Sequence, residues 1–191
     1  MRILIALLVV IVVLVLAGLA LLATGTYNFA ADAPHDARTS AIVEYARERS
    51  IARRIRDLEV PRLDDAAQVA EGAGHYAAMC TGCHLAPGLS DTELRRGLYP
   101  QPPDLTKRRA GSSPQRSFWI LKHGLKLTGM PAWGTTHDDA SLWGIVAFLE
   151  KLPDMSAGDY AALTRKPEPE LAPGAPAKAG PPEHDHSTHK H

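Results

Sequence analysis

The stretch Cys80-Thr81-Gly82-Cys83-His84 contains both cysteines of this 191-residue chain. Two cysteines three positions apart lie on neighbouring sides of one turn, where their thiols can reach the two vinyl groups of one porphyrin. The histidine that follows then falls beneath the iron as an axial ligand. Because this pattern is typical of c-type haem attachment, we predict one covalent haem c, bound through Cys80 and Cys83 and ligated by His84.

Three alternatives to haem attachment could use the same residues. A thioredoxin-type redox pair needs a βαβ context, whereas the flanking sequence favours helices. A structural zinc site needs two more ligands at finger-like spacing, and the chain has no second cysteine pair. The third is a chance occurrence, which is disfavoured because the motif uses every cysteine of a chain whose N-terminus indicates export.

Helix-start patterns flank the motif, and no run of alternating apolar residues predicts a strand. The last predicted helix runs to Pro153 and carries an apolar stripe that includes Leu142, Ile145 and Leu149. We therefore expect an all-α domain over residues 64–155, with about four short helices around the haem. The start patterns are at Asp65, Ser90–Glu93, Ser113-Pro114 and Thr136–Asp139.

The sixth iron ligand is predicted to be Met130. It lies in the loop Leu127–Trp133, between two predicted helices, with Gly129 and Pro131 on either side. A methionine that only fills a gap in the core is the alternative. Met79 adjoins Cys80, and Met155 follows the last predicted helix, so neither suits the opposite face of the haem. His75 and His123 are expected to be surface or packing residues.

The N-terminus carries 21 residues, Ile3–Ala23, without a charge. That length spans a bilayer as a helix, so residues 1–24 are predicted to be a single-pass membrane anchor. A cleaved secretory signal is the alternative. Arg2 precedes the span and favours an inside N-terminus, which places the rest of the chain across the membrane.

The regions on either side of the central domain are expected to pack little. Residues 25–63 are predicted to be a connector with a charged helix over Thr39–Glu59, either solvated and salt-bridged or acting as a basic collar on lipid or a partner. Residues 156–191 are Pro- and Ala-rich and are predicted to be disordered. Four histidines near the end are candidate metal ligands or an incidental polar tail: His184, His186, His189 and His191.

Lys and Arg total 21, as do Asp and Glu, so the formal net charge is zero. This balance gives no support to nucleic-acid binding, which depends on a basic excess. From 95 to 126 there are eight bases and one acid, Asp104, which suggests a redox partner with an acidic docking surface. Eight solvated side chains on different faces are the alternative. The bases are Arg95, Arg96, Lys107, Arg108, Arg109, Arg116, Lys122 and Lys126.

The haem motif, Pro102-Pro103-Asp104-Leu105, Gly129–Trp133 and the last helix with Trp143 and Phe148 together resemble the class I c-type cytochromes, and in particular their membrane-anchored, single-haem bacterial members. The resemblance covers about residues 64–155. It implies a cytochrome c fold, and a haem domain on the periplasmic side of a bacterial inner (cytoplasmic) membrane.

The resemblance also implies roles for particular residues. Gly72 and Tyr76 match the position where the first and last helices cross, and a loop carbonyl near Pro87 is expected to accept a hydrogen bond from the ring N–H of His84. Tyr99 or Trp119 is expected to bond a propionate. The haem-pocket candidates are Tyr99, Pro102, Pro103, Leu105, Trp119 and Trp133.

These features predict a membrane-tethered one-electron carrier rather than an enzyme, serving between respiratory enzymes, since no acid–base pair, nucleophile or vacant metal site is evident in the sequence. The alternatives are a haem subunit of a larger dehydrogenase or oxidase, a haem gas sensor or peroxidase in which Met130 leaves the iron, and a metal-binding protein that uses the histidine tail.

Overall fold

A computed structural model describes residues 1–107 and 113–165. These residues contain helices and no strand, which confirms the all-α prediction. Two short 3₁₀ turns, Trp133–Thr135 and Leu152–Asp154, flank the last long helix of the central domain. The α-helices are α1 (Arg2–Ala23), α2 (Ala37–Arg54), α3 (Ala66–Met79), α4 (Thr81–His84), α5 (Glu93–Arg96), α6 (Pro114–His123), α7 (Asp139–Leu149) and α8 (Ala157–Thr164).

Two of the predicted helix starts are confirmed. The Asp65 side chain accepts the N–H of Gln68 at the start of α3, and Ser113 caps α6, which ends at Gly124. The other two caps lie within the predicted stretches Ser90–Glu93 and Thr136–Asp139, two residues after the first residue of each. Thr92 caps α5 and Asp138 caps α7, because their side chains accept backbone N–H groups three residues ahead.

The helix α7 also ends earlier than predicted, at Leu149 instead of Pro153. Pro153 follows four residues later, and a proline ring clashes with the carbonyl of the residue four positions before it. Leu152 is nevertheless fully buried, within the separate 3₁₀ turn.

The crossing of α3 and α7 organises the domain, and two glycines lie at its centre. A Cβ atom on Gly72 would lie 1.9 Å from the carbonyl oxygen of Gly144, so the two backbones are in direct contact. Beside them Tyr76 packs on Phe148, with 5.1 Å between ring centroids. The predicted place of Gly72 and Tyr76 at a helix crossing is confirmed, and Gly144 is the partner that the sequence did not reveal.

The helix α6 covers the other side of α7. Phe118 stacks on Trp143 with ring centroids 4.1 Å apart and planes inclined by 10°. Leu121, Leu142, Ile145 and Val146 complete this buried cluster. The core therefore lies between α3, α6 and α7, and it leaves the side towards the cysteine motif for the cavity described below.

The tail was predicted to be disordered from residue 156, but its first part is ordered. Residues 157–164 form α8, which starts with a capping box between Ser156 and Asp159. Tyr160 and Leu163 pack against the cluster that contains Tyr76 and Phe148. The packed domain thus extends past residue 155, because these apolar side chains return to the surface of α3. The rest of the predicted tail, residues 166–191, lies outside the described residues, as do its four histidines.

The connector is also more ordered than its composition suggested. The helix α2 spans Ala37–Arg54 instead of the predicted 39–59 and buries Ile51 almost completely. Leu58 and Leu63 pack against the core cluster of α6 and α7. The boundary predicted at residue 64 therefore does not separate a packed part from an unpacked one, since Ile51 is buried and Leu58 and Leu63 attach the connector to the domain.

The helix α1 is the one segment of the described chain long and apolar enough to cross a membrane. Every residue of it is exposed, so it packs against no other part of the described chain. Tyr27 and Phe29 follow within six residues and form an edge-on ring pair. Aromatic residues at this distance from a span are typical of the membrane–water interface.

Candidate functional site

A cavity of about 460 Å³ opens beside the cysteine motif. Its volume lies in the usual range for sites that bind small molecules and cofactors. Most lining residues are apolar, and they come from α2, α3, α4, α6, α7 and the loops between them. Cys80, Cys83, His84 and Met130, the four residues predicted to hold the haem, all line this one cavity. Their chemistry and its apolar wall fit a covalently attached haem.

Both thiols are held where α3 gives way to the short helix α4. Cys80 ends α3 and is buried, and Cys83 is half-buried one turn later. Burial, together with the neighbouring Cys83, raises the pKa of Cys80 to about 12. A reactive redox thiol needs a lowered pKa. The environment of Cys80 therefore argues against a thioredoxin-type pair.

The His84 ring is oriented by a backbone carbonyl. Its Nδ1 lies 2.9 Å from the carbonyl oxygen of Pro103. A carbonyl only accepts, so Nδ1–H is the donor, and in the neutral ring the lone pair is on Nε2. The expectation that the acceptor lies near Pro87 is wrong. The loop that holds Pro103 returns to the motif, and the N–H of Leu105 donates to the carbonyl of His84 at 3.2 Å.

The turn after His84 is held by Tyr76. The Tyr76 hydroxyl donates to the carbonyl of Leu85 at 2.7 Å and lies 3.3 Å from that of His84. Leu85 has φ +67°, a conformation that a bulky residue rarely adopts. Its buried side chain and the bond from Tyr76 hold it there. Burial also raises the pKa of Tyr76 well above its usual value, so the hydroxyl remains a donor.

The loop that carries Met130 is folded tightly against the end of α6. The N–H of Met130 donates to the Thr128 hydroxyl at 3.0 Å, and its carbonyl accepts from the N–H of Leu125 at 3.2 Å. Gly124 has φ +65°, and a Cβ there would lie 2.8 Å from the Met130 carbonyl oxygen. Gly124 therefore both ends α6 and lets this loop approach.

The predicted pocket residues divide into two groups. Pro102, Pro103, Leu105 and Trp133 line the cavity. Tyr99 and Trp119 are not among the described residues that line it, so the structure does not bring them to the site. The Tyr99 hydroxyl instead accepts the backbone N–H of His35, and the Trp119 ring packs on His123, with 5.0 Å between centroids.

Of the other histidines and methionines considered as iron ligands, only Met79 is among the described residues that line the cavity. His75 contacts Glu71 at 3.8 Å, and its ring meets His137 edge-on. Neither His75 nor His123 is among the described lining residues, and Met155 packs in the cluster beneath α8. Met79 does line the cavity, next to Cys80 in the chain.

The sequence did not reveal that Arg47 and Arg116 also line the cavity. Arg116 forms two hydrogen bonds with Glu48, at 2.7 and 2.9 Å, and the Nε of Arg47 donates to the same carboxylate at 3.3 Å. Burial acts to raise the pKa of Glu48, but the hydrogen bonds and charges of the two arginines outweigh it and lower that pKa. Arg47 comes from α2, more than thirty positions before the motif, so no local pattern could have indicated it.

Most of the described bases in residues 95–126, called the basic stretch below, form ion pairs. Of its eight bases, Arg108 and Arg109 lie outside the described residues. Four of the other six contact acids within 4 Å, which weakens the case for one positive face. The pairs are Arg95 with Asp91, Lys107 with Asp104, Arg116 with Glu48, and Lys122 with Asp139. Residues 1–107 and 113–165 contain no cluster of three or more His, Cys, Asp or Glu suited to a metal ion.

Residues 67–149 match the family model described as cytochrome c oxidase, cbb3-type, subunit III. The match covers less than half of the chain and extends from the start of α3 to the end of α7. It includes Cys80, Cys83, His84 and Met130, and it leaves out α1, α2 and α8. No curated protein and no solved structure is similar enough to the chain to count as a match.

Proposed function

We propose that this protein is a one-electron carrier with a single covalent haem c. Residues 67–149 match a cytochrome c family model, and such domains serve haem-based electron transfer between redox partner proteins. Cys80 and Cys83 would attach the haem, and His84 and Met130 would be its axial ligands. The haem supplies a one-electron couple when bound. The observation that carries this proposal is the convergence of all four residues on one apolar cavity.

The protein's contribution is to hold both axial ligands in place. The bond from His84 Nδ1 to the Pro103 carbonyl orients the ring and increases its basicity as a ligand. The Thr128 and Leu125 bonds hold the backbone of Met130. Ligation by Met and His raises a reduction potential relative to two histidines, and two filled axial positions would leave no site for a substrate. This is why we favour a carrier over a gas sensor or a peroxidase.

A pair of matched methionine variants tests the proposal. Met130→Leu removes the proposed ligand, whereas Met79→Leu changes another methionine of the same cavity wall. We expect the ferrous Met130→Leu protein to bind carbon monoxide and to have a lower reduction potential. The Met79→Leu protein should behave like the wild type in both assays. Equal behaviour of the two variants would reject Met130 as a ligand.

We further propose that α1 tethers this domain to a bacterial inner membrane, with the haem side in the periplasm. Support comes from the length and full exposure of α1 and from the interfacial pair Tyr27 and Phe29. The packed connector holds the domain near the span, so we expect short-range exchange with neighbouring membrane enzymes. Carbonate-washed membranes should retain the haem-staining protein at its full-length mass, and release of a shortened form would favour a cleaved signal.

We propose that the redox partner docks through a surface that is modestly acidic. The exposed bases Arg96 and Lys126 lie in the basic stretch, but ion pairs offset the charges of its four other described bases. Exposed paired charges contribute little to a long-range field. Electrostatic steering by this surface is therefore expected to be weak.

A second candidate is a haem subunit of a larger oxidase or dehydrogenase. It is favoured by the matched family, whose description is that of an oxidase subunit. Native electrophoresis of membranes in mild detergent separates the two. A carrier migrates near its own mass, whereas a subunit migrates with a large complex.

A further inference from the structure

We infer that Arg47, on the connector helix α2, is an electrostatic partner of the haem propionates and sets the haem potential together with Arg116. This inference rests on the proposed haem site. It assigns a haem-binding role to a helix that lies outside the segment matched to the cytochrome family.

The cavity wall has a distinctive set of charges. Among the described lining residues, Arg47 and Arg116 are the two with a permanent charge, and none is Asp or Glu. A haem carries two propionate carboxylates. Carboxylates placed against an apolar wall need charged hydrogen-bond donors, and a guanidinium is well shaped to supply them. The wall therefore offers two guanidinium groups for two propionates, and Glu48 behind them offsets part of their charge.

The position of Arg47 is built into the fold. Ile51 is buried one turn further along α2, and Glu48 bridges from α2 to Arg116 on α6. The Arg47 side chain is only 27% exposed, although its helix is otherwise rich in solvent-facing arginines. Of its donors, Nε faces Glu48 at 3.3 Å and one terminal nitrogen lies 3.5 Å from Glu44. A guanidinium has five N–H donors, so these two contacts leave donors for a carboxylate.

The experiment compares reduction potentials of full-length, haem-loaded variants. Arg47→Gln removes the charge at the cavity, and Arg49→Gln removes the same charge from the exposed side of the same helix. Loss of a nearby positive charge favours the ferric form. We expect Arg47→Gln to shift the reduction equilibrium by about tenfold towards ferric, which is roughly 59 mV for a one-electron couple. Arg49→Gln should leave it unchanged.

Two further variants keep the test decisive if Arg47→Gln fails to fold or to load haem. Arg47→Lys retains the charge and should retain the potential. Glu48→Gln removes the acid that offsets both arginines and should raise the potential. The inference is overturned if Arg47→Gln matches Arg49→Gln, or if Glu48→Gln leaves the potential unchanged. Either result with a normal haem spectrum would leave the proposed function standing, whereas a wild-type protein without covalent haem would refute that function itself.

Discussion

Replacing Gly72 by alanine should separate the two helices that hold the haem domain together. A Cβ at this position would lie 1.9 Å from the carbonyl oxygen of Gly144, 2.3 Å from its carbonyl carbon and 2.8 Å from the N of Ile145. Ordinary contacts begin near 3.4 Å, so α3 and α7 would have to move apart by about 1.5 Å. All three neighbours are backbone atoms, so no rotamer change relieves the clash.

The magnitude follows from that rigidity. Overpacking a core costs about 1–3 kcal/mol, and occasionally more. Because two helix backbones must separate, we expect Gly72→Ala to cost about 3 kcal/mol at least. For a domain of this size such a loss lowers the melting temperature by roughly 15 °C. It should also disturb the packing of Tyr76 on Phe148, beside the crossing.

Gly74 provides the matched control on the same helix. A Cβ added at Gly74 would meet no atom within 4 Å. Gly74→Ala should therefore stabilise α3 by about 0.5–1 kcal/mol. Chemical unfolding of both haem-loaded variants measures the contrast. A Gly72→Ala protein as stable as the wild type, or as the Gly74→Ala protein, would refute the close crossing of α3 and α7.

The remaining predictions concern two tyrosines, one ion pair and the docking surface. Tyr76→Phe should lower the unfolding free energy by about 1–2 kcal/mol, because the buried Leu85 carbonyl loses its donor; Tyr160→Phe should cost nothing, since among the described residues the buried Tyr160 hydroxyl has no hydrogen-bond partner. Equal losses in denaturant unfolding would contradict this contrast. The pKa of Glu48 is lowered from its ordinary value of 4.5, so the ionised carboxylate stabilises the fold at pH values above 4.5. That contribution is lost as the pH falls towards the pKa of the folded state. The stability advantage of the wild type over Glu48→Gln should therefore shrink below about pH 4.5, and a constant difference would argue against the ion pair. Electron-transfer rates with the native partner should fall only slightly as ionic strength rises, and a steep fall would show that the basic stretch steers after all.

The sequence indicated the four residues that converge on the cavity better than it indicated the rest of the cavity wall. The motif at 80–84 and the loop around Met130 are local patterns, because their glycine, proline and spacing signals lie within a few positions of the functional side chains. The α3 start at Asp65 and the α6 cap at Ser113 were predictable for the same reason.

Contacts between distant segments escaped prediction. Nothing near Pro103 indicates that its carbonyl meets His84, and nothing near Arg47 indicates that it reaches the cavity. The helix α8 was also missed, since its surroundings are rich in Pro and Ala and its apolar Tyr160 and Leu163 become meaningful only against α3. Composition alone made the connector resemble a solvated linker, although Ile51, which is 1% exposed, attaches it to the domain.

The most direct test of the electron-carrier function is a visible spectrum of the full-length protein in membranes, oxidised, reduced, and reduced under carbon monoxide. Ligation by His84 and Met130 predicts a low-spin spectrum with the weak sulfur-to-iron band in the oxidised form, and no change on adding the gas to the reduced form. A spectrum that lacks the sulfur band and shifts with carbon monoxide would mean an open axial position. That result would contradict the electron-carrier function and support a ligand-binding or catalytic haem.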